Sequence, residues 1–360
     1  MKVPIVQLKI PDSVLDEARE VLASGMWVEG KPVRTLEQEF AEFTGAKYCR
    51  AVNSGTSALL AIMYGLGFKP DDEVIIPSFS FIATSNCMVP YRVKPVFADI
   101  DPSTFNLDPK SIREAITPKT KAIMPVHLFG LCANMDEIHE IAREHNIPVI
   151  EDSCQSHGAE YKGNKAGNLG EIAAFSLYPT KNMFAAGEGG LITTNNQELY
   201  EKINRFVNHG QSKKYVHTEM GFNFRMPAVA GVVARYSLSQ LPENNKKRIA
   251  NANLYNDLLQ NVNGLIIPTV PEGYTHVYHQ YTIRVPKRDV LADELSKNQI
   301  GYGIHYKIPI HLQEVYKEMG NVSLEMTEKL ANEVISLPVQ PLLSEEQIRF
   351  VASTIEKFYQ

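Results

Sequence analysis

Three segments of the sequence combine residue types whose spacing could do chemistry. In Asn53-Ser54-Gly55-Thr56-Ser57-Ala58-Leu59-Leu60 a Gly/Ser/Thr turn leads straight into an apolar helical stretch. Free backbone N–H groups and hydroxyls at such a start make an anion site suited to a phosphate monoester, although a plain N-cap uses the same residues. In Val149-Ile150-Glu151-Asp152-Ser153-Cys154-Gln155-Ser156-His157-Gly158 an apolar strand ends in two acids. Parallel α/β sheets place ligands at that edge, where a carboxylate can keep a pyridine nitrogen protonated; capping the next turn is the plainer role. Cys154 and His157 could also be a nucleophile and its base, but such pairs usually come from separate elements, and no third orienting group accompanies them. In Phe175-Ser176-Leu177-Tyr178-Pro179-Thr180-Lys181-Asn182, followed by Gly187-Glu188-Gly189-Gly190, a lysine sits on an irregular connection after an apolar strand. Desolvation would lower its pKa and make Lys181 a nucleophile toward an aldehyde; in solvent it is an ordinary loop lysine. The ensemble favours chemistry, because phosphate cradle, strand-end acid and loop lysine follow one another in a single region.

That region must be an α/β layer structure. From about residue 45 to 200, short β-branched runs alternate with amphipathic stretches. The runs are Glu73-Val74-Ile75-Ile76, Pro95-Val96-Phe97-Ala98, Lys121-Ala122-Ile123-Met124, Pro148-Val149-Ile150-Glu151 and Ala173-Ala174-Phe175-Ser176. Helices are expected over 57–66 and over Met135–His145, where Ile138, Ile141 and Ala142 recur at helical spacing. Strands apolar on both faces and separated by helices imply a mostly parallel central sheet flanked by helices. After Asn245 the pattern changes to a helix over 246–262, a strand over 277–285, a helix over 289–298, a strand near Gly303-Ile304-His305 and a final helix from Ser344. The expected division is a large domain at 1–240, including the N-terminal segment, and a small C-terminal α/β domain at 241–360.

Composition narrows the class. A chain of 360 residues is long enough for a large core and a smaller second one. The net charge of −5 leaves no basic footprint for nucleic acid. Cys49, Cys87, Cys132 and Cys154 are scattered without a C-x-x-C pair, which fits a reducing cytoplasmic setting better than disulfides or a structural zinc. No signal peptide or twenty-residue apolar run appears, so neither secretion nor membrane spanning is expected.

Asn53 to Leu59, Glu151-Asp152, Gln155, Ser176 to Asn182 and Gly187-Glu188-Gly189-Gly190 together resemble the DegT/DnrJ/EryC1/StrS aminotransferases. These are pyridoxal-phosphate enzymes of fold type I, and the resemblance runs from Gly25-Met26-Trp27-Val28 to the C-terminal region. It implies that Lys181 is the Schiff-base lysine, that Asp152 pairs with the pyridinium nitrogen and that Gln155 lies near the phenolic oxygen. It likewise implies that Phe81 stacks on the ring, where core packing is the alternative, and that Gly55, Thr56 and Ser176 touch the phosphate. Asn223, in Gly221-Phe222-Asn223-Phe224-Arg225-Met226, is similar to an asparagine given to the phosphate of a neighbouring subunit, which makes a homodimer with shared sites the expected assembly. His305, Tyr306 and His311 resemble a loop lining the sugar site, and Trp27 is expected at the substrate mouth, with packing as its alternative. Histidines 305 and 311 match no common zinc spacing, and no metal is expected.

Departures from the family pattern are Leu131-Cys132 in place of Gln-Pro and Gln340 in place of a histidine. Most characterised members aminate nucleotide-linked keto-sugars, usually with glutamate as donor. Relatives that dehydrate sugars replace the lysine with histidine, so Lys181 implies transamination in amino-sugar or polysaccharide biosynthesis. The alternatives are a free cyclitol ketone as acceptor, with glutamine a possible donor, or a non-catalytic ligand-binding regulator on the same scaffold.

Overall fold

The computed structural model describes residues 1–319 and 322–360. Lys94–Ala98, Glu73–Pro77 and Thr120–Ile123 pair in parallel in that order. Ile150–Asp152, Ile172–Ser176, Gly190–Thr194 and Tyr48–Val52 follow as a second group. Parallel bridges from Ile123 to Val149 and from Val126 to Asp152 join both groups into one sheet. Among the described strands of this sheet, Gly190–Thr194 alone points opposite to the rest, antiparallel to both Tyr48–Val52 and Ile172–Ser176. The sheet is therefore mostly parallel, and the expected α/β architecture is present.

Alternation along the strands explains how both faces are covered. Val74 and Ile76 pack with Ala58, Leu59, Ile62 and Met63 of the helix Gly55–Leu66. Ile75, between them, packs on the opposite side with Ile138, Ile141 and Ala142 of the helix Met135–His145. With apolar partners on both sides, such strands read as unbroken hydrophobic runs. The central strands and these helices appear as expected, with ends shifted by a residue or two.

The C-terminal part departs further from expectation. The helix expected over 246–262 is the second half of one helix, Ala228–Leu259, which carries Pro242 inside it. Its first half gives Ala230, Ala234, Leu238 and Leu241 to the core around Phe40 and Phe175. Its second half gives Ala252, Tyr255 and Leu259 to a separate core with Tyr281, Ile283, Ile335, Leu337 and Ile355. The division expected at residue 240 thus falls within a continuous element. Val3, from the segment assigned to the large domain, is buried in the second core, where its N–H donates to Gln299 O at 3.1 Å.

The strand expected over 277–285 shortens to Tyr281–Arg284, because the preceding backbone finds other partners. The N–H groups of Val277 and Gln280 donate to Gly130 and Phe129, the Tyr278 N–H donates to His276 Nδ1, and Arg248 donates to the Tyr278 carbonyl. Near Gly303 there is only an isolated bridge to Ser336, and the strand pairing with Tyr281–Arg284 is Val334–Leu337. The final helix, Glu345–Tyr359, is closed by Ser344 and Gln347 as a capping box. No helix among the described residues is long and apolar enough to cross a membrane.

Candidate active site

A cavity of about 610 Å³ opens at the carboxyl edge of the sheet. Helix Gly55–Leu66 begins there, with the Ser54 side chain accepting from the Ser57 N–H at 3.0 Å. Gly55 and Thr56 line the cavity in the first turn, where helix N–H groups lack partners within the helix. The fit around this turn allows no side chain. A Cβ on Gly55 would lie 2.7 Å from Ser176 Cβ, and one on Gly190 would lie 2.4 Å from Ser54 O. Ser176 is thereby held against the helix start, forming a cradle of donors suited to a phosphate.

The two acids of the strand Ile150–Asp152 turn to opposite faces, as strand geometry requires. Asp152 faces the cavity, nearly buried, with Oδ2 accepting from Thr84 Oγ1 at 2.8 Å and Oδ1 from the Cys154 N–H at 3.2 Å. The Ser80 hydroxyl lies 2.9 Å from Thr84 Oγ1, so once Thr84 donates to Asp152, Ser80 donates to Thr84. Glu151 lies behind, fully buried, accepting backbone N–H groups of Gly167, Leu169 and Gly170, each at 2.7 Å. His127 Nδ1 accepts from Ala133 N–H at 3.1 Å, so its Nε2 carries the proton donated to Glu151 at 3.0 Å. Burial pushes the Glu151 carboxyl up, but His127 and the backbone donors outweigh it and hold the pKa below its usual value.

Lys181 lines the same cavity, on the turn closed by its N–H donating to Tyr178 O. Burial lowers its pKa, opposed by the nearby Cys154 and Asp152. Gln155 is bound at both ends, accepting from Phe129 N–H at 3.0 Å and donating to Tyr306 OH at 2.9 Å. Phe81 is 56% exposed and lines the cavity 6.3 Å from the Tyr306 ring, so it is a wall of the site and not part of a core.

Of the remaining expected site residues, His305 and Tyr306 line the cavity and three others do not. His311 lies off the cavity wall: its Nδ1 lies 2.6 Å from Ser78 Oγ and its Nε2 3.3 Å from Glu328, and these partners hold the ring buried. Asn223 is exposed and accepts from Arg225 at 3.1 Å, while Trp27 is 58% exposed with its indole N–H donating to Leu22 O. Within one chain neither lines the cavity. Cys154 and His157 share no hydrogen bond among the described residues, since the thiol turns to Ala174 O and the histidine ring packs near Phe175. Burial raises the Cys154 pKa and lowers that of His157 to about 3, the wrong directions for a thiolate–imidazolium pair. Sequence reading missed Thr84 and His279. Thr84 follows Phe81 by three residues but carries no motif of its own; His279 reaches the cavity because residues 277–280 leave the strand.

The donor set fits a phosphate-bearing aldehyde on a protonated pyridine. A cradle closed to side chains would meet the phosphate, a hydrogen-bonded carboxylate would meet the ring nitrogen, and an amine of lowered pKa would meet the carbonyl. Fold and site together define the class, a pyridoxal-phosphate-dependent transferase of fold type I. The chain belongs to the DegT/DnrJ/EryC1/StrS aminotransferase family, whose model matches residues 9–356. It is similar to the "Pleiotropic regulatory protein" of Geobacillus stearothermophilus, 39% identical over 100% of this chain and 99% of the relative. It is also 37% identical to the UDP-2-acetamido-2-deoxy-3-oxo-D-glucuronate aminotransferase of Pseudomonas aeruginosa, over 97% of both chains. Among solved structures, DesV of S. venezuelae in complex with a ketimine intermediate matches with a TM-score of 0.94 and 34% identity, over 97% of this chain and 95% of that one.

Proposed function

We propose that the protein transfers an amino group from glutamate to the keto-sugar of a nucleotide-linked sugar. The observation that carries this reading is the Lys181 amine, its pKa lowered by desolvation, and the Asp152 carboxylate in one cavity with the phosphate cradle. Support for the acceptor comes from the P. aeruginosa relative, whose name specifies a UDP-linked keto-sugar acid. Pyridoxal phosphate supplies an electron sink that stabilises negative charge on the carbon losing its proton.

The chain's own residues have distinct tasks in this proposal. Gly55, Thr56 and Ser176 hold the phosphate, Phe81 covers the ring, and Asp152 keeps the pyridine nitrogen protonated. Gln155 would meet the phenolic oxygen. Lys181 would hold the cofactor through Nζ, and the same amine would be the group that takes up and gives back the proton at the donor's carbon. Its lowered pKa keeps a larger neutral fraction available for that step. His305 and Tyr306 border the space for the sugar.

The functional unit in this reading is a homodimer. Trp27 and Asn223 serve the partner's cavity, and the exposed apolar side chains around them support such a contact. Beside exposed Met26 and Val28, the Trp27 carbonyl accepts from the Ala228 N–H and the Glu29 N–H donates to the Met226 carbonyl, close in sequence to exposed Tyr215, Met220 and Phe222.

A substrate panel tests the proposal. Purified enzyme with pyridoxal phosphate should turn over nucleotide-linked keto-sugars with glutamate and show ping-pong kinetics. Turnover of a cyclitol ketone alone would overturn the acceptor assignment. Borohydride reduction should attach the cofactor to Lys181, and the absence of any adduct would leave only the regulatory reading.

A further inference from the structure

The helix Ala228–Leu259 carries a buried asparagine at the point where its neighbours change. Leu241 still packs into the core around Phe40 and Phe175, whereas Ala252 packs with Tyr255 and Tyr281. Between them Asn245 is buried, and its amide turns to two segments distant in sequence. Nδ2 donates to the His157 carbonyl at 2.9 Å, and Oδ1 accepts from Nδ2 of Asn182 at 3.0 Å. Asn182 is buried as well, and its Nδ2 also donates to the Val277 carbonyl at 2.9 Å.

These bonds admit one orientation of each amide. A carbonyl only accepts, so Asn245 must turn Nδ2 to His157 and Oδ1 to Asn182, and Val277 imposes the matching choice on Asn182. The approach is close: a Cβ on Gly158, whose φ is +81°, would lie 2.9 Å from Asn245 Nδ2. Each contact also falls beside a cavity residue. His157 is two residues after Gln155, Asn182 directly follows Lys181, and Val277 is two residues before His279. The two amides therefore tie together the connections that bring Gln155, Lys181 and His279 to the cavity.

Lys181 depends on them most. Its own N–H donates to Tyr178 O at 2.9 Å, so with Asn182 fixed its main chain is pinned on both sides. Just beyond, the Phe184 N–H donates to Ser237 Oγ at 2.9 Å, about two turns back along the same helix. A lysine amine sits on a flexible four-carbon stem, so it can be placed only as well as the main chain that carries it. We propose that Asn245 is a positioning residue for Lys181, acting through Asn182 to set the lysine's main chain against the cavity. The proposal rests on the assignment of Lys181 argued above.

Pyridoxamine phosphate separates positioning from general loosening, because it carries an amine in place of the aldehyde and cannot bond to Lys181. In cofactor-free Asn245→Ala or Asn182→Ala, pyridoxal phosphate should form its borohydride-trapped bond to Lys181 about tenfold to a hundredfold more slowly than in the unaltered protein. Calorimetric affinity for pyridoxamine phosphate should stay within about threefold, since neither asparagine lines the cavity. The double variant should attach the cofactor no more slowly than Asn182→Ala, because Asn245 acts through that residue. Should Asn245→Ala fail to fold, Asn182→Ala decides the outcome by the same two measurements. An unaltered attachment rate would overturn the positioning role, as would a parallel loss of pyridoxamine phosphate affinity or additive losses in the double variant. Failure of the Lys181 assignment registers separately, as no trapped adduct at Lys181 in the unaltered protein.

Discussion

The Asp152 carboxylate receives one side-chain hydrogen bond, from Thr84, and Thr84 has the Ser80 hydroxyl behind it. A charge-assisted bond of this kind contributes roughly 1.5–3 kcal/mol. Thr84→Val should therefore lower turnover by about tenfold or more, and Thr84→Ser should restore most of it. Steady-state kinetics of the pair decide the point; equal activity of the valine variant would remove Thr84 from the site. This residue shows what sequence could and could not reveal. Asp152 and Lys181 stand out because each belongs to a recognisable stretch, and the cavity brings them together. Thr84 acts only through a contact 68 residues away in sequence, and no local pattern announces it. His311 shows the converse, since the loop that carries His305 and Tyr306 to the cavity turns His311 back onto Ser78, which no local pattern announces.

At the scale of elements, the strand Ile150–Asp152 presents one acid to the cavity and uses the other as an anchor. Glu151 gathers three backbone N–H groups and His127, and so fixes residues 167–170 and the 127–133 turn to the strand end. Glu151→Ala leaves those donors buried and unpaired, which should destabilise the fold by about 3–5 kcal/mol. Urea unfolding of the apoprotein would measure it, and a loss below about 1 kcal/mol would show that water replaces the carboxylate. The apolar runs between helices were legible because both faces of each strand are covered. Gly190–Thr194 was not, because a glycine-rich lead and two threonines resemble a loop, and only pairing on both sides makes it a strand. Residues 277–280 misled in the opposite sense. Their apolar and aromatic content reads as strand, but His276, Arg248 and the Phe129–Gly130 turn take up the backbone groups that a ladder would use.

Over the whole molecule, buried histidines set a limit on acid tolerance. Burial lowers the pKa of His157 and of His276 to about 3, and that of His279 well below its usual value. In the unfolded chain each titrates near 6.5, so between that pH and the folded values the unfolded state binds more protons. Stability should therefore fall as pH drops below about 6.5, by up to roughly 1.4 kcal/mol per pH unit for each histidine. Thermal melting from pH 7 to 4 measures the slope, and His276→Gln should reduce it; a flat profile would show that these rings are charged in the fold. Assembly is the other property at this scale. If exposed Met220 lies in the proposed dimer contact, Met220→Glu should move the sedimenting species toward the monomer and reduce cofactor affinity. An unaltered dimer would place the interface elsewhere. Trp27 and Asn223 were legible as residues but not as positions, because one chain does not display the cavity they are proposed to complete.

The helix Ala228–Leu259 has a consequence for how such proteins can be recombined. A domain exchanged with a relative at residue 240 would cut one continuous helix and join two halves selected against different neighbours. The crossover that respects this architecture lies beyond Leu259, and it still leaves Val3 and Tyr255 of the recipient packed against the donor's sheet. The small core is therefore not a portable module. Its inheritance is tied to the first few residues of the chain and to the helix that also packs into the core around Phe40 and Phe175.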